Sequence, residues 1–113
     1  MPYTVDNHIY DDGGGTARYN CGVPVVALNT PQVYEVQNAA GSWVNLLNGV
    51  SQSSSASNTV GLAAAPQIGG NSVGGVYYYG DWAEMVLYNR ILSSVERQSL
   101  VNYFNGRYGL GAV

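Results

Sequence analysis

An all-β domain closed by one C-terminal helix is what this sequence predicts, and three observations predict it. Short apolar runs recur between turn signals from residue 1 to residue 88, the pattern of antiparallel strands. The composition is strand-prone and turn-rich, with 10 Tyr and 15 Gly among 113 residues. Only beyond Ser93 does the spacing of apolar residues become helical. A chain of this length supports one core, so residues 1–113 are read as a single domain.

The elements follow in order. Residues 1–22 alternate weakly around Asp11, Asp12 and three glycines, which reads as two short strands with a loop between them. VPVVAL, residues 23–28, is a candidate buried strand ended by Asn29, Thr30 and Pro31. VYEVQ (33–37) and WVNLL (43–47) flank the turn residues NAAGS and make a hairpin. Asn48 and Gly49 follow, two residues suited to positive φ. The polar run SQSSSASNT, residues 51–59, is expected to be an exposed loop. Strand character resumes in VGLAAAPQIGG (60–70), VYYYG (76–80) and the apolar stretch 82–88.

The final helix is expected over about 94–105. Ser93 is its N-cap, Glu96 the capping-box partner three residues on, and Asn105 and Gly106 its stop. Leu100, Val101, Phe104 and Tyr108 form one apolar stripe, so the helix should lie on the sheet layer.

Charge narrows the function classes. Four Arg, no Lys and seven acidic residues give a net charge of -3, which argues against a nucleic-acid partner. No segment approaches the roughly 20 apolar residues of a membrane span, and the first 15 residues lack the basic and apolar regions of a secretory signal. Only 10% of residues are charged, a surface suited to being covered by other subunits.

The stretch GDWAEMVLYNRILSSVERQSLVNYFNGRYGL, residues 80–110, resembles the closing segment of concanavalin A-like, laminin-G-like domains. Its Gly-Asp strand, the Tyr-Asn-Arg that ends it, the Leu-Ser helix cap and the final Tyr-Gly-Leu carry the likeness. The strand ending at Asn48 and Gly49, and QIGG at 67–70, are similar to earlier parts of that family, so the resemblance spans about 33–110. It implies an antiparallel jelly-roll β-sandwich, minimal or truncated, because the front half of the usual sandwich is reduced to residues 1–30. Either the fold is a small version or a partner supplies the missing surface. The family occurs in phage structural proteins and in carbohydrate-binding modules.

Catalysis is not expected. Glycoside hydrolysis needs two carboxyl groups facing one cleft, and on a strand Asp81 and Glu84 would point to opposite faces. Glu84 is instead assigned to balancing Arg90, six residues on. His8 is the only histidine, and Cys21, alone, is read as a small buried thiol. Asp6, Asp11 and Asp12 are the carboxylates calcium would use, but their spacing fits no EF-hand loop, and no cofactor is expected.

The aromatics remain. By strand parity Ala83, Met85 and Leu87 share one side, and the family resemblance implies that this side packs on the opposing sheet. Trp82, Glu84, Val86 and Tyr88 share the other, with Tyr77 or Tyr79 nearby. Trp82, Val86, Tyr88, Tyr77 and Tyr79 are therefore the expected ligand or partner contacts, and Glu84, Arg90, Ser93 and Glu96 the structural ones. The expected function is a non-catalytic structural or decorating protein of a larger assembly: a virion component, homo-oligomeric, with glycan attachment as an added role. A carbohydrate-binding lectin-like module, extracellular, is the alternative, and a glycosidase the third reading.

Overall fold

A computed structural model describes residues 6–11, 19–58 and 80–111. Two antiparallel sheets and one helix make up the described chain. The first sheet is a ribbon of β1 (Tyr10–Asp11) and β2 (Tyr19–Asn20). Backbone bonds from Ile9 to Gly22 and from Cys21 to Ile9, 2.9 and 2.7 Å, extend it. The second sheet orders β3 (Tyr34–Ala39), β4 (Ser42–Leu47) and β5 (Val50–Ser55) as a meander. The helix α1 covers Ser94–Tyr108.

The meander is built by its turns. Ala39 pairs with Ser42, leaving Ala40 and Gly41 as a two-residue loop in which Gly41 takes φ 69°. The carboxamide nitrogen of the buried Asn58 holds this hairpin end, donating towards Asn38 Oδ1, Ala39 O and Ser42 O at 3.2 to 3.3 Å. Asn48 and Gly49 both have positive φ, 50° and 82°, the two-residue geometry that matches strand twist.

The return strand β5 overturns the loop expected over 51–59. Asn45 pairs with Ser53 but Leu46 pairs with Ser51, so Gln52 is the extra residue of a β-bulge. Its carboxamide then serves the backbone of the preceding segment. Nε2 donates to Cys21 O and Val23 O at 2.6 and 2.9 Å, and Oε1 accepts from Val25 N at 2.8 Å. The same contacts explain why VPVVAL is not a strand: a side chain from β5 occupies hydrogen-bonding groups that a ladder would use. Val23 is 61% exposed there, not buried.

The two faces of the meander have different surroundings. On one, Trp43 and Leu47 are fully buried with Ile9 and Cys21, joined by Tyr19, Val26, Leu28 and Val36. Tyr19 stacks on Trp43 with ring centres 5.1 Å apart. Tyr34 closes this face: its hydroxyl donates to Asp11 Oδ2 at 2.5 Å and accepts from the buried Asn45 Nδ2 at 3.0 Å, tying ribbon to meander. On the other face lies Glu35, paired with the half-buried Arg97 of α1 at 2.5 Å. Val101, one turn along from Arg97, is buried. Of the expected stripe Val101 is buried, Leu100 and Phe104 are partly buried and Tyr108 is exposed, and the described link from α1 to the sheet is the Arg97–Glu35 pair.

Two sequence expectations fail near the end of the chain. The helix does not stop at Asn105 and Gly106 but runs to Tyr108, where Gly109 turns it off in the left-handed conformation, φ 64°, with its N–H on Asn105 O. Gly106 has no Cβ to pack, yet its φ is not constrained to be positive, so nothing there forces an end. The stretch 82–88 forms no strand among the described residues. The strand segments expected over 60–79 lie outside the described residues, as do Tyr77 and Tyr79.

Candidate functional site

The segment before the helix is fixed to it at both ends. At the near end Ser93 adopts an extended N-cap conformation, and its Oγ accepts from Glu96 N while Glu96 Oε2 accepts from Ser93 N at 2.9 Å. The same carboxylate takes both arms of the Arg90 guanidinium, at 3.0 and 2.6 Å. Arg90, then the Ser93 backbone and hydroxyl, hold the Glu96 carboxyl down to about 2. In return Glu96 raises the Arg90 pKa above its ordinary value.

At the far end Glu84 is the anchor. Its carboxylate accepts from Tyr103 Oη at 3.1 and 3.2 Å and from Tyr108 Oη at 2.8 Å, and Arg107 Nε lies 3.4 Å away. Arg107 also donates to Tyr108 Oη at 3.0 Å and sits over the Tyr103 and Tyr108 rings at 6.0 and 5.6 Å. Desolvation and the Glu84 carboxylate raise the Tyr103 pKa. Residue 90 therefore meets the first turn of α1 and residue 84 its last turns, so the segment runs antiparallel to the helix.

This corrects the expected pairing of Glu84 with Arg90. Each takes a different partner on α1, because a helix offers acid and base at opposite ends. Glu96 near its N-terminus and Arg107 near its C-terminus complement the helix dipole as well. Sequence parity missed the Glu84 cluster. Part of its signal was present: Tyr103 and Arg107 are four apart, on one helix face.

The apolar residues of the segment are open to solvent. Trp82, Val86 and Tyr88 are exposed, and so are Leu87, at 88%, and Met85, at 53%. The side expected to pack against an opposing sheet is thus the more open of the two. The packing expectation assumed a strand within a sandwich, and no strand forms over 82–88 among the described residues. Beside it Tyr88, Arg90, Leu92, Glu96, Ser99 and Leu100 line a hollow of about 270 Å³.

The other chemically capable groups are engaged in holding the fold. Asp6 accepts from Tyr10 Oη at 2.7 Å and from His8 N at 3.0 Å, which lower its pKa. His8 Nδ1 meets Asn20 Oδ1 at 3.0 Å. Burial pushes the Cys21 thiol up to about 11, away from nucleophilic use at neutral pH. Among the described residues no three metal-ligating side chains converge, and Asp12 lies outside them. Among them, too, no helix is long and apolar enough to cross a membrane. No family model, curated protein or solved structure matches this chain.

Proposed function

We propose that this chain is a non-catalytic subunit of a larger assembly, built on a concanavalin A-like jelly-roll β-sandwich and acting through subunit contacts. The observation that carries the reading is the exposed apolar run over 82–88, with Leu87 88% exposed beside half-exposed Trp82 and Met85. Soluble domains seldom leave such a patch open unless something docks on it. With few charges and a tyrosine-rich surface, the chain suits a virion component, a capsid decoration or tail appendage, bound to copies of itself and to other subunits. No catalytic role or cofactor is assigned.

A glycan-attachment reading has its own support in the hollow beside Tyr88, where a half-exposed ring adjoins the Arg90 and Glu96 hydrogen-bonding groups. A flat apolar ring beside planar polar groups suits a sugar's apolar face and hydroxyls. The test is light scattering on the purified chain together with passage over immobilised glycans. An obligate oligomer without sugar retention supports the assembly role. A stable monomer retained by glycans refutes it in favour of the lectin-like module.

A further inference from the structure

We infer that residues 84–89 form a strap, latched onto α1 by the Glu84 carboxylate, that comes away from the helix as a unit while the sheets and the helix stay folded. The inference stands on the strap's own contacts and is independent of the assembly reading.

Burial does not hold the strap. Every residue from 80 to 91 is exposed, so removal of apolar surface from water contributes little to its attachment. Among the described residues no backbone hydrogen bond joins 83–92 to the rest of the molecule. Segments with few buried contacts are the ones from which local openings are drawn. Side-chain bonds hold it instead, from two positions, Glu84 and Arg90.

The two attachments differ in kind. Arg90 closes on Glu96 across six residues, within the turn that enters α1, and Glu96 also takes the Ser93 N–H. This end moves with the helix and serves as the hinge. Glu84 reaches Tyr103 and Tyr108, 19 and 24 residues on, with Arg107 3.4 Å away. Three donors thus converge on one carboxylate, where an ionised acceptor makes each bond about twice as strong as a neutral one. Removing that carboxylate undoes all three together. Arg107 also donates to Tyr108 Oη and sits over the Tyr103 and Tyr108 rings. The donors therefore stay assembled when Glu84 leaves and retake it when it returns. Nothing else is disturbed: the Arg97 pair with Glu35, the buried Val101 and the Ser93 cap involve no residue of the strap.

The test compares the full-length wild type with Glu84→Ala and with the double variant Tyr103→Phe, Tyr108→Phe, by 15N relaxation and limited chymotryptic digestion. In the wild type the order parameters of residues 85–88 should lie near about 0.85, and in both variants they should fall below about 0.6. Cleavage after Leu87 or Tyr88 should quicken by roughly tenfold or more, as suits the loss of hydrogen bonds to a charged group. Amide exchange in β4 and at Val101 should be unchanged. Relaxation and cleavage unaltered by Glu84→Ala would overturn the latch, and low order parameters already in the wild type would overturn the brace. Loss of β4 protection in either variant would overturn opening as a unit.

Discussion

Replacing Gln52 with methionine should be among the most damaging single changes on the polar strand. The variant keeps the length and stem of the side chain, so packing is little altered, but it removes bonds of 2.6, 2.9 and 2.8 Å to Cys21 O, Val23 O and Val25 N. Each bond is worth about 0.5 to 1.5 kcal/mol net. The bonds at Val23 and Val25 lie towards solvent, where water would replace them in part, so the expected loss is roughly 2 kcal/mol. In a domain of this size that lowers Tm by roughly 8 to 12 °C. Thermal and urea unfolding followed by circular dichroism measure it, and hydrogen exchange should show the Val25 amide losing protection. Gln52→Glu separates the roles: it can still accept from Val25 but would set a carboxylate against two carbonyl oxygens, and should be at least as unstable. The exposed Ser54→Ala should change stability by less than about 0.5 kcal/mol. If Gln52→Met also falls within that limit, or Ser54→Ala matches it, the bulge does not organise residues 21–25 as argued.

Further outcomes follow from the same contacts. Tyr34→Phe leaves Asp11 and the buried Asn45 without their shared hydroxyl and should cost about 1 to 3 kcal/mol in urea unfolding. Desolvation and Asp11 hold the Tyr34 pKa well above its ordinary 10.0, so its contribution is complete below pH 10 and is lost as pH rises beyond it. The variant should lack that part of the alkaline decline. Ser93→Ala should cost about 1 kcal/mol by removing the helix cap. Glu96, lowered from 4.5 to about 2, contributes stability present above pH 4.5 and lost as pH falls towards 2. An acid titration of Glu96→Gln should be flatter in that window. Cys21, buried and raised to about 11, should react with a thiol reagent at pH 8 only at the rate of unfolding, and added denaturant should expose it at once.

Local signals were legible where a few adjacent residues decide the outcome. The hairpin at 34–47, the positive-φ pair Asn48 and Gly49, and the Ser93 and Glu96 capping box all depend on neighbours in sequence. The coarse class, antiparallel sheets with one C-terminal helix, followed from them. What failed depended on distant partners. SQSSS reads as a loop by composition, and becomes a strand because β4 offers it a ladder. VPVVAL reads as a strand, and is diverted by Gln52. Glu84 was given the nearest arginine of matching parity, whereas the helix placed Arg107, Tyr103 and Tyr108 around it. Strand parity divided 82–88 into a packed and an open side, whereas Trp82, Met85, Val86, Leu87 and Tyr88 are all exposed.

Strand β5 has a consequence for how this sequence can change over time. Four of its six residues are serine, and a substitution among them alters little that the sheet reads. A deletion is another matter: losing one residue before or after Gln52 would restore a regular ladder and swing the carboxamide away from residues 21–25. The strand's meaning is thus carried by its length and by one letter. A lineage of this protein would be expected to drift freely in serine content while refusing insertions and deletions there, the reverse of what a low-complexity run ordinarily permits.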